Sequence, residues 1–247
     1  MDERVMIRAL GARIAAGRRL ATGCGLEGHM LVVGSKSRYR TAARGVFHCE
    51  RCGGDREYLH RAGRRWLYAL AVPLLPQAGA ASEHLRCVEC GTCYRVDLLA
   101  VPTTQEMRAA LVAATTAAVL AMLQAGGWAS PAARRSGVEL IQKAGSEDYS
   151  EASLAVAVPA MRAELAEHPA GQELDAAPRL GPAVEMFALQ LEEHAKEWFL
   201  ARIVQVGLAD GGLTEDERQV ARVIARHLGM SQDRAQDVIW LTEVASA

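Results

Sequence analysis

Cys49-Glu50-Arg51-Cys52-Gly53 and Cys87-Val88-Glu89-Cys90-Gly91 are two copies of one pattern, C-x2-C-G, with 34 residues between Cys52 and Cys87. A knuckle of this kind bends the backbone tightly enough to aim two sulfurs at one point. Four thiolates then fill the tetrahedral shell that Zn2+ prefers. The glycine after each second cysteine belongs to the pattern, because a residue without Cβ tolerates the turn that closes a knuckle. The sequence therefore predicts one zinc site with Cys49, Cys52, Cys87 and Cys90 as ligands. The spacing exceeds that of common zinc fingers, so the intervening chain must form a long hairpin or carry its own strands.

Cys90-Gly91-Thr92-Cys93 is a further C-x2-C pair. Cys87 and Cys90 are preferred over Cys93 because glycine follows them as it follows the first knuckle. A disulfide framework needs an oxidising compartment, to which no segment of the sequence directs the chain. A redox C-x2-C needs a strand-to-helix setting that Cys49 and Cys87 lack. Cys24 reads as a thiol without a partner.

Working outward, Tyr58 to His60 and Trp66 to Val72 read as strands separated by a basic turn, Arg61-Ala62-Gly63-Arg64-Arg65. His84 leads into the second knuckle and Tyr94 to Leu99 leaves it. This is the strand plan of a zinc ribbon over residues 30–102, preceded by a flexible or short-helix extension, 1–29. His48 and His84 flank the knuckles but, with four cysteines at hand, are read as neighbours of the site and not ligands.

Half of the 247 residues are hydrophobic and only 5% aromatic, so the apolar share is mostly Ala, Leu and Val, which suits packed helices. The excess of Ala, and of Arg over Lys, fits a GC-rich, bacterial coding bias. The net charge of −1 conceals a division: residues 1–104 carry 16 basic and 9 acidic side chains, residues 105–247 carry 12 and 20. Such asymmetry predicts two domains meeting near Pro102-Thr103-Thr104. No apolar secretion segment is evident, so cytoplasmic residence is the default. Ala109 to Ala133 holds no charged residue, yet Gly126-Gly127 and Ser130-Pro131 divide it, and it is read as a core helix and not a membrane span.

After Pro102 the pattern is helical. Helices are expected from Thr104 to about Gln124, from Ala132 to Lys143, from Ser150 to Val158, from Pro159 to His168, from Pro182 to Leu208 (the longest), from Thr214 to Leu228 and from Ser231 to Val244. Gly229 is placed as a C-cap between the last two. Pro169 to Pro182 reads as an exposed connection.

Leu208-Ala209-Asp210-Gly211-Gly212-Leu213-Thr214-Glu215-Asp216-Glu217 resembles the second half of a calcium loop. Val206 and Leu208 stand where further oxygen ligands would be needed, so a complete local loop is excluded. Asp210 and Glu217 remain as candidates for a divalent cation, Ca2+ or Mg2+. Thr214 to Glu217 is equally a capping box, which needs no metal. Ala125-Gly126-Gly127-Trp128-Ala129-Ser130-Pro131 repeats the shape without the acids, Gly126 standing for Asp210 and Ala133 for Glu217.

On Ala209-Asp210-Gly211, Thr214 and Glu217, residues 105–247 resemble the TerB family of tellurite-resistance and chemical-stress proteins. The segment Leu31 to Leu98 resembles the zinc ribbon fused before such domains. The resemblance implies a mainly α chain: a small N-terminal β zinc ribbon followed by an all-α TerB-like helical bundle with two related halves. It implies divalent-cation binding at the acidic turn, protein partners in a membrane-linked stress-response assembly, and no enzyme. The alternative is a nucleic-acid-binding or regulatory zinc ribbon, for which Arg56, Arg61, Arg64 and Arg65 cluster beside Tyr58, Trp66 and Tyr68. No G-x-S-x-G, phosphate-binding glycine loop or H-E-x-x-H is present to support catalysis.

Overall fold

A computed structural model describes residues 33–69, 72–80, 83–166 and 180–246. The expected extension over residues 1–29, with Cys24, lies outside these residues, as does most of the connection after His168. The chain divides into two compact units, with the boundary between Glu106 and Met107.

The first unit is an antiparallel sheet of five strands: β1 (Val33–Cys49), β2 (Gly54–Ala69), β3 (Val72–Ala80), β4 (His84–Cys87) and β5 (Cys93–Tyr94). β1 and β2 form one long hairpin joined at the first knuckle, in register from Cys49 opposite Gly54 to Val33 opposite Ala69, with an irregularity between Thr41 and Ala43. The other edge of β2 is shared. β4 pairs with Tyr58 to Arg61, and β3 with the stretch from Arg64 to Ala69. β5 closes the sheet against β4. A small core of Phe47, Cys49, Leu85, Cys87, Tyr94 and Leu98 sits at the knuckle end.

The strands overturn the expected fold class. The chain is mixed α and β, a five-stranded sheet followed by seven α-helices among the described residues, and not a mainly α chain with a small ribbon before an all-α bundle of two related halves. Arg61-Ala62-Gly63-Arg64-Arg65 is not a turn but the middle of β2, paired with Ser37 to Thr41. The physical reason is the partner strand. Residues 34–45 are polar or small apart from Tyr39, so no apolar alternation announced them, yet backbone pairing with β2 satisfies their N–H and C=O groups.

The helical unit comprises α1 (Thr104–Ala125), α2 (Pro131–Lys143), α3 (Glu151–Ala166), α4 (Leu180–Ala188), α5 (Glu193–Gly207), α6 (Glu215–His227) and α7 (Gln232–Ser246). Among the described residues one span, Val96–Ala125, is long and apolar enough to cross a membrane, but half of its apolar window is buried inside the protein. α1 supplies Leu111, Ala118, Val119, Met122 and Leu123 to the core, beside Phe187, Phe199, Leu200, Ile203 and Ile224.

Two helix boundaries differ from expectation. Pro159 lies inside α3, which runs on through it. The long helix expected from Pro182 to Leu208 is broken at Leu189-Gln190: Gln190 N donates to Phe187 O and Leu191 N to Ala188 O, tight turns that end α4 and turn Leu191 into the core. Gly229, at φ 71°, ends α6 as expected.

Candidate metal centre

Each knuckle is closed by one backbone hydrogen bond. Gly53 N donates to Cys49 O at 2.9 Å, and Gly91 N to Cys87 O at 3.1 Å. Both glycines have φ 68°, a left-handed conformation that costs other residues free energy. A Cβ at Gly53 would meet nothing within 4 Å, so the backbone angle and not space demands glycine there. The hairpin brings the knuckles together, because β4 pairs with β2 and sets Cys87 opposite Tyr58.

The ligand atoms of Cys49, Cys52, Cys87 and Cys90 all lie within 4.8 Å of one another. Cys49 Sγ is 3.7 Å from Cys90 Sγ, and Cys52 Sγ is 4.0 Å from Cys87 Sγ. A tetrahedron with metal–sulfur bonds of about 2.3 Å has edges of about 3.8 Å, so the cage has the dimensions of a four-thiolate site. All four are free thiols, so none is consumed in a disulfide. Cys93 is not among the free thiols and not in the group. The geometry therefore selects Cys90 over Cys93. This set could hold a metal ion such as zinc.

The electrostatics of the bare sulfurs favour a cation. Burial, then hydrogen bonds from the neighbouring thiols, push Cys52 up to about 12, and burial raises Cys87 as well. Burial opposes ionisation of Cys90 too, but the hydroxyl and amide of Thr92 and the adjacent thiols bring it down to about 6. Cys90 thus ionises readily while Cys52 and Cys87 hold their protons, and a bound cation would favour their thiolates.

Tyr94 is a member of the site that the sequence reading missed. Its ring is buried against Phe47 and its hydroxyl lies 3.3 Å from Cys49 Sγ, where it also accepts from Arg51 N at 3.4 Å. Burial first, and then Cys49, raise its pKa, so it stays a neutral hydroxyl beside the sulfur. The only signal was an aromatic residue beside Cys93. His48 is not a ligand: its Nδ1 is 3.1 Å from Thr104 Oγ1 and 3.4 Å from Asp55 Oδ1. His84 is buried edge-on to Tyr39, and neither histidine is in the cysteine group.

Asp55 has a separate task. Its carboxylate accepts from Thr104 N at 2.9 Å and Gln105 N at 3.2 Å, so the first turn of α1 is capped from β2. Burial alone would raise its pKa, but these bonds hold it below the usual value.

The second candidate pair is not drawn together with further ligands. Among the described residues the four cysteines are the one group of three or more metal-ligating side chains, and Asp210 and Glu217 are outside it. Asp210 is exposed, whereas Glu217 is 1% exposed. The capping box is formed in full: Thr214 N and Oγ1 donate to Glu217 Oε2 at 2.8 and 2.9 Å, and Glu217 N donates to Thr214 Oγ1. In the echoing turn Ser130 caps α2 by accepting from Ala133 N. The turns face each other, for a Cβ on Gly126 would lie 2.8 Å from Glu217 Cδ. Gly126 therefore carries no acid because Glu217 fills that space.

The four candidate nucleic-acid arginines do not form one patch. Arg56 Nη1 donates to Asp55 O, and the neighbours Arg64 and Arg65 point to opposite faces of β2 by strand alternation. The register adds residues that the sequence reading passed over. Lys36, Arg38 and Arg40 on β1 pair with Trp66, Arg64 and Ala62 and so share one face.

Comparisons with protein-family models, curated proteins and solved structures return no match for this chain, so its assignment rests on its own residues and geometry.

Proposed function

We propose that the protein is a non-enzymatic, metal-binding interaction protein in which zinc closes the knuckle end of the sheet unit. The four-sulfur cage carries this reading. With four protein ligands no coordination position is left for a substrate, which is the arrangement of structural and not catalytic zinc. A docking role is supported by apolar side chains left on the surface, Trp240, Leu241 and Val244 on α7, Met186 on α4 and Leu189 in the turn that follows it. The stress-response, TerB-like part of the proposal, with a membrane-linked partner on the cytoplasmic side, rests on Ala209-Asp210-Gly211, Thr214 and Glu217. Elemental mass spectrometry tests the first part: one zinc per chain in the wild type and its loss in Cys49→Ser. A tellurite-sensitive bacterial host tests the second. Survival gained with the wild type and lost with Cys49→Ser is the expected result, while no gain removes the stress-response part and leaves the metal part standing.

A second reading, nucleic-acid binding by the hairpin, is favoured by a specific observation. The sequence holds no acidic residue from Val33 to His48 or from Tyr58 to Ala80, and Lys36, Arg38, Arg40 and Arg64 share an exposed face with Trp66 and Tyr68. Cations track phosphates and aromatic rings stack on bases. Retention on single-stranded nucleic acid that falls steeply with salt, and weakens in Arg38→Gln with Arg64→Gln, supports this reading. Retention that is indifferent to both sinks it.

A further inference from the structure

Helices α1, α2 and α5 leave a cleft of about 380 Å3 between them, within the range that takes a small molecule. Leu111 of α1, Leu140 of α2, and Phe199 and Ile203 of α5 make its apolar wall. Two polar groups in it keep hydrogen-bonding or charge capacity that the protein does not meet.

The first is Thr115 on α1, which lines the cleft and is 2% exposed. A helical threonine commonly returns its hydroxyl to the carbonyl one turn back, as Thr242 does to Val238 O at 2.7 Å. The Thr115 hydroxyl has no hydrogen-bond partner among the described residues, and it is not sealed off from the cleft. Burying such a group without a partner is costly.

The second is Arg202 on α5. Arg218, Arg222 and Arg234 in the same unit each meet a carboxylate, whereas Arg202 meets none among the described residues. It is nevertheless held in place, with Nη1 donating to Gln205 Oε1 at 2.9 Å and the guanidinium 5.2 Å from the centre of the Trp198 ring. Lys143 and Glu139, also at the cleft, neutralise each other at 3.4 Å. One positive charge is therefore left over. A single charge beside an apolar wall matches a monoanion with a hydrocarbon body better than a phosphate, which carries more charge and asks for more donors.

We propose that this cleft binds a small carboxylate with an apolar tail, of the medium-chain fatty acid class. Its carboxylate oxygens accept from the Arg202 guanidinium and the Thr115 hydroxyl, and its tail lies on Leu111, Leu140, Phe199 and Ile203. The site belongs to the helical unit and does not depend on the metal reading.

The test is calorimetric titration of the 247-residue chain with octanoate and with octanol, which share a tail and differ in charge. Saturable one-to-one binding of octanoate, at least about tenfold tighter than octanol, is the expected result, with about tenfold loss in Arg202→Gln and a smaller loss in Thr115→Val. Equal affinity for acid and alcohol, no saturation with octanoate, or octanoate binding unchanged in Arg202→Gln would each overturn the proposal. The acid-against-alcohol comparison is made on the wild type, so it decides even if a variant fails to fold.

Discussion

The sheet unit packs Phe47, Leu85, Tyr94 and Leu98 around two buried cysteines, while the helical unit draws a continuous core from all seven helices, α1 through α7. The first has too little apolar surface to offset the entropy of ordering a 17-residue strand and its 16-residue partner. The second resembles an ordinary globular interior. The difference shows where a bound metal would add most: the sulfurs in the sheet unit stand where the helical unit has leucines and phenylalanines.

The largest effect that could break this contrast is metal removal. Structural zinc contributes about 10–16 kcal/mol in zinc-finger peptides, more than a core of this size supplies. Chelation, or Cys49→Ser, is expected to abolish amide-exchange protection across β4, β5 and the knuckle end of β1 and β2. Protection in α1, α5 and α6 is expected to persist. Exchange read by mass spectrometry checks both halves, and loss of protection in the helices would show that the two cores are not independent.

How much of each unit was legible in the sequence follows the same division. The knuckles could be read because their chemistry is local: two cysteines, two residues apart, and a glycine whose φ of 68° the turn requires. The capping box at Thr214 and Glu217 was equally local, and it is present. The long hairpin was not legible, because residues such as Ser35, Lys36, Arg38 and Thr41 are paired by backbone and leave no hydrophobic period to detect. Asp55 could not be read as a cap, since the amides it receives lie 49 and 50 residues further along the chain. The break before Leu191 lacked a glycine or proline to mark it. Long-range packing decided what composition left open.

A smaller change sharpens the contrast in packing. In the helical unit, Gly126→Ala would set a methyl group 2.8 Å from Glu217 Cδ and 3.1 Å from Thr214 Oγ1. Overpacking of this kind is expected to cost about 1–3 kcal/mol. In the sheet unit, Gly54→Ala meets only Arg56 Nη1 at 3.7 Å, an ordinary contact, and is expected to be near neutral. Urea unfolding of the two variants checks the pair, and equal losses would mean that the sheet unit is as tightly packed as the helices.

The two capping boxes allow the same comparison at lower amplitude. Thr103 N and Oγ1 donate to Glu106 Oε2 at 2.7 and 2.9 Å, copying the bonds of Thr214 to Glu217. Glu106 is exposed and Glu217 buried. Glu217→Ala takes the acceptor away from Thr214 N and Oγ1 and opens a void where a buried side chain stood, at an expected cost of about 1–3 kcal/mol. Glu106→Ala lets water replace the lost acceptor and is expected to cost about 0.5–1 kcal/mol. Asp210→Ala, which removes an exposed carboxylate outside the box, is expected to leave the unfolding midpoint unchanged.

A last, small effect concerns Asp55, which caps the first turn of α1 from the neighbouring strand. Asp55→Asn keeps the shape but weakens the acceptor, because a charged carboxylate is the stronger partner for an amide at a helix N-terminus. The expected loss is about 1 kcal/mol or less, read as faster exchange of the Thr104 and Gln105 amides with zinc content unchanged. The sign with pH is fixed by the direction of the shift. The folded pKa lies below the ordinary carboxylate value, so the contribution is complete above that value and fades as the pH falls through the lowered one. The difference between wild type and Asp55→Asn should therefore be constant across neutral pH and shrink only in strong acid. If Asp55→Asn instead released zinc at neutral pH, the cap and the sulfur cage would be one cooperative unit, and the start of α1 would belong to the metal core and not to the helical one.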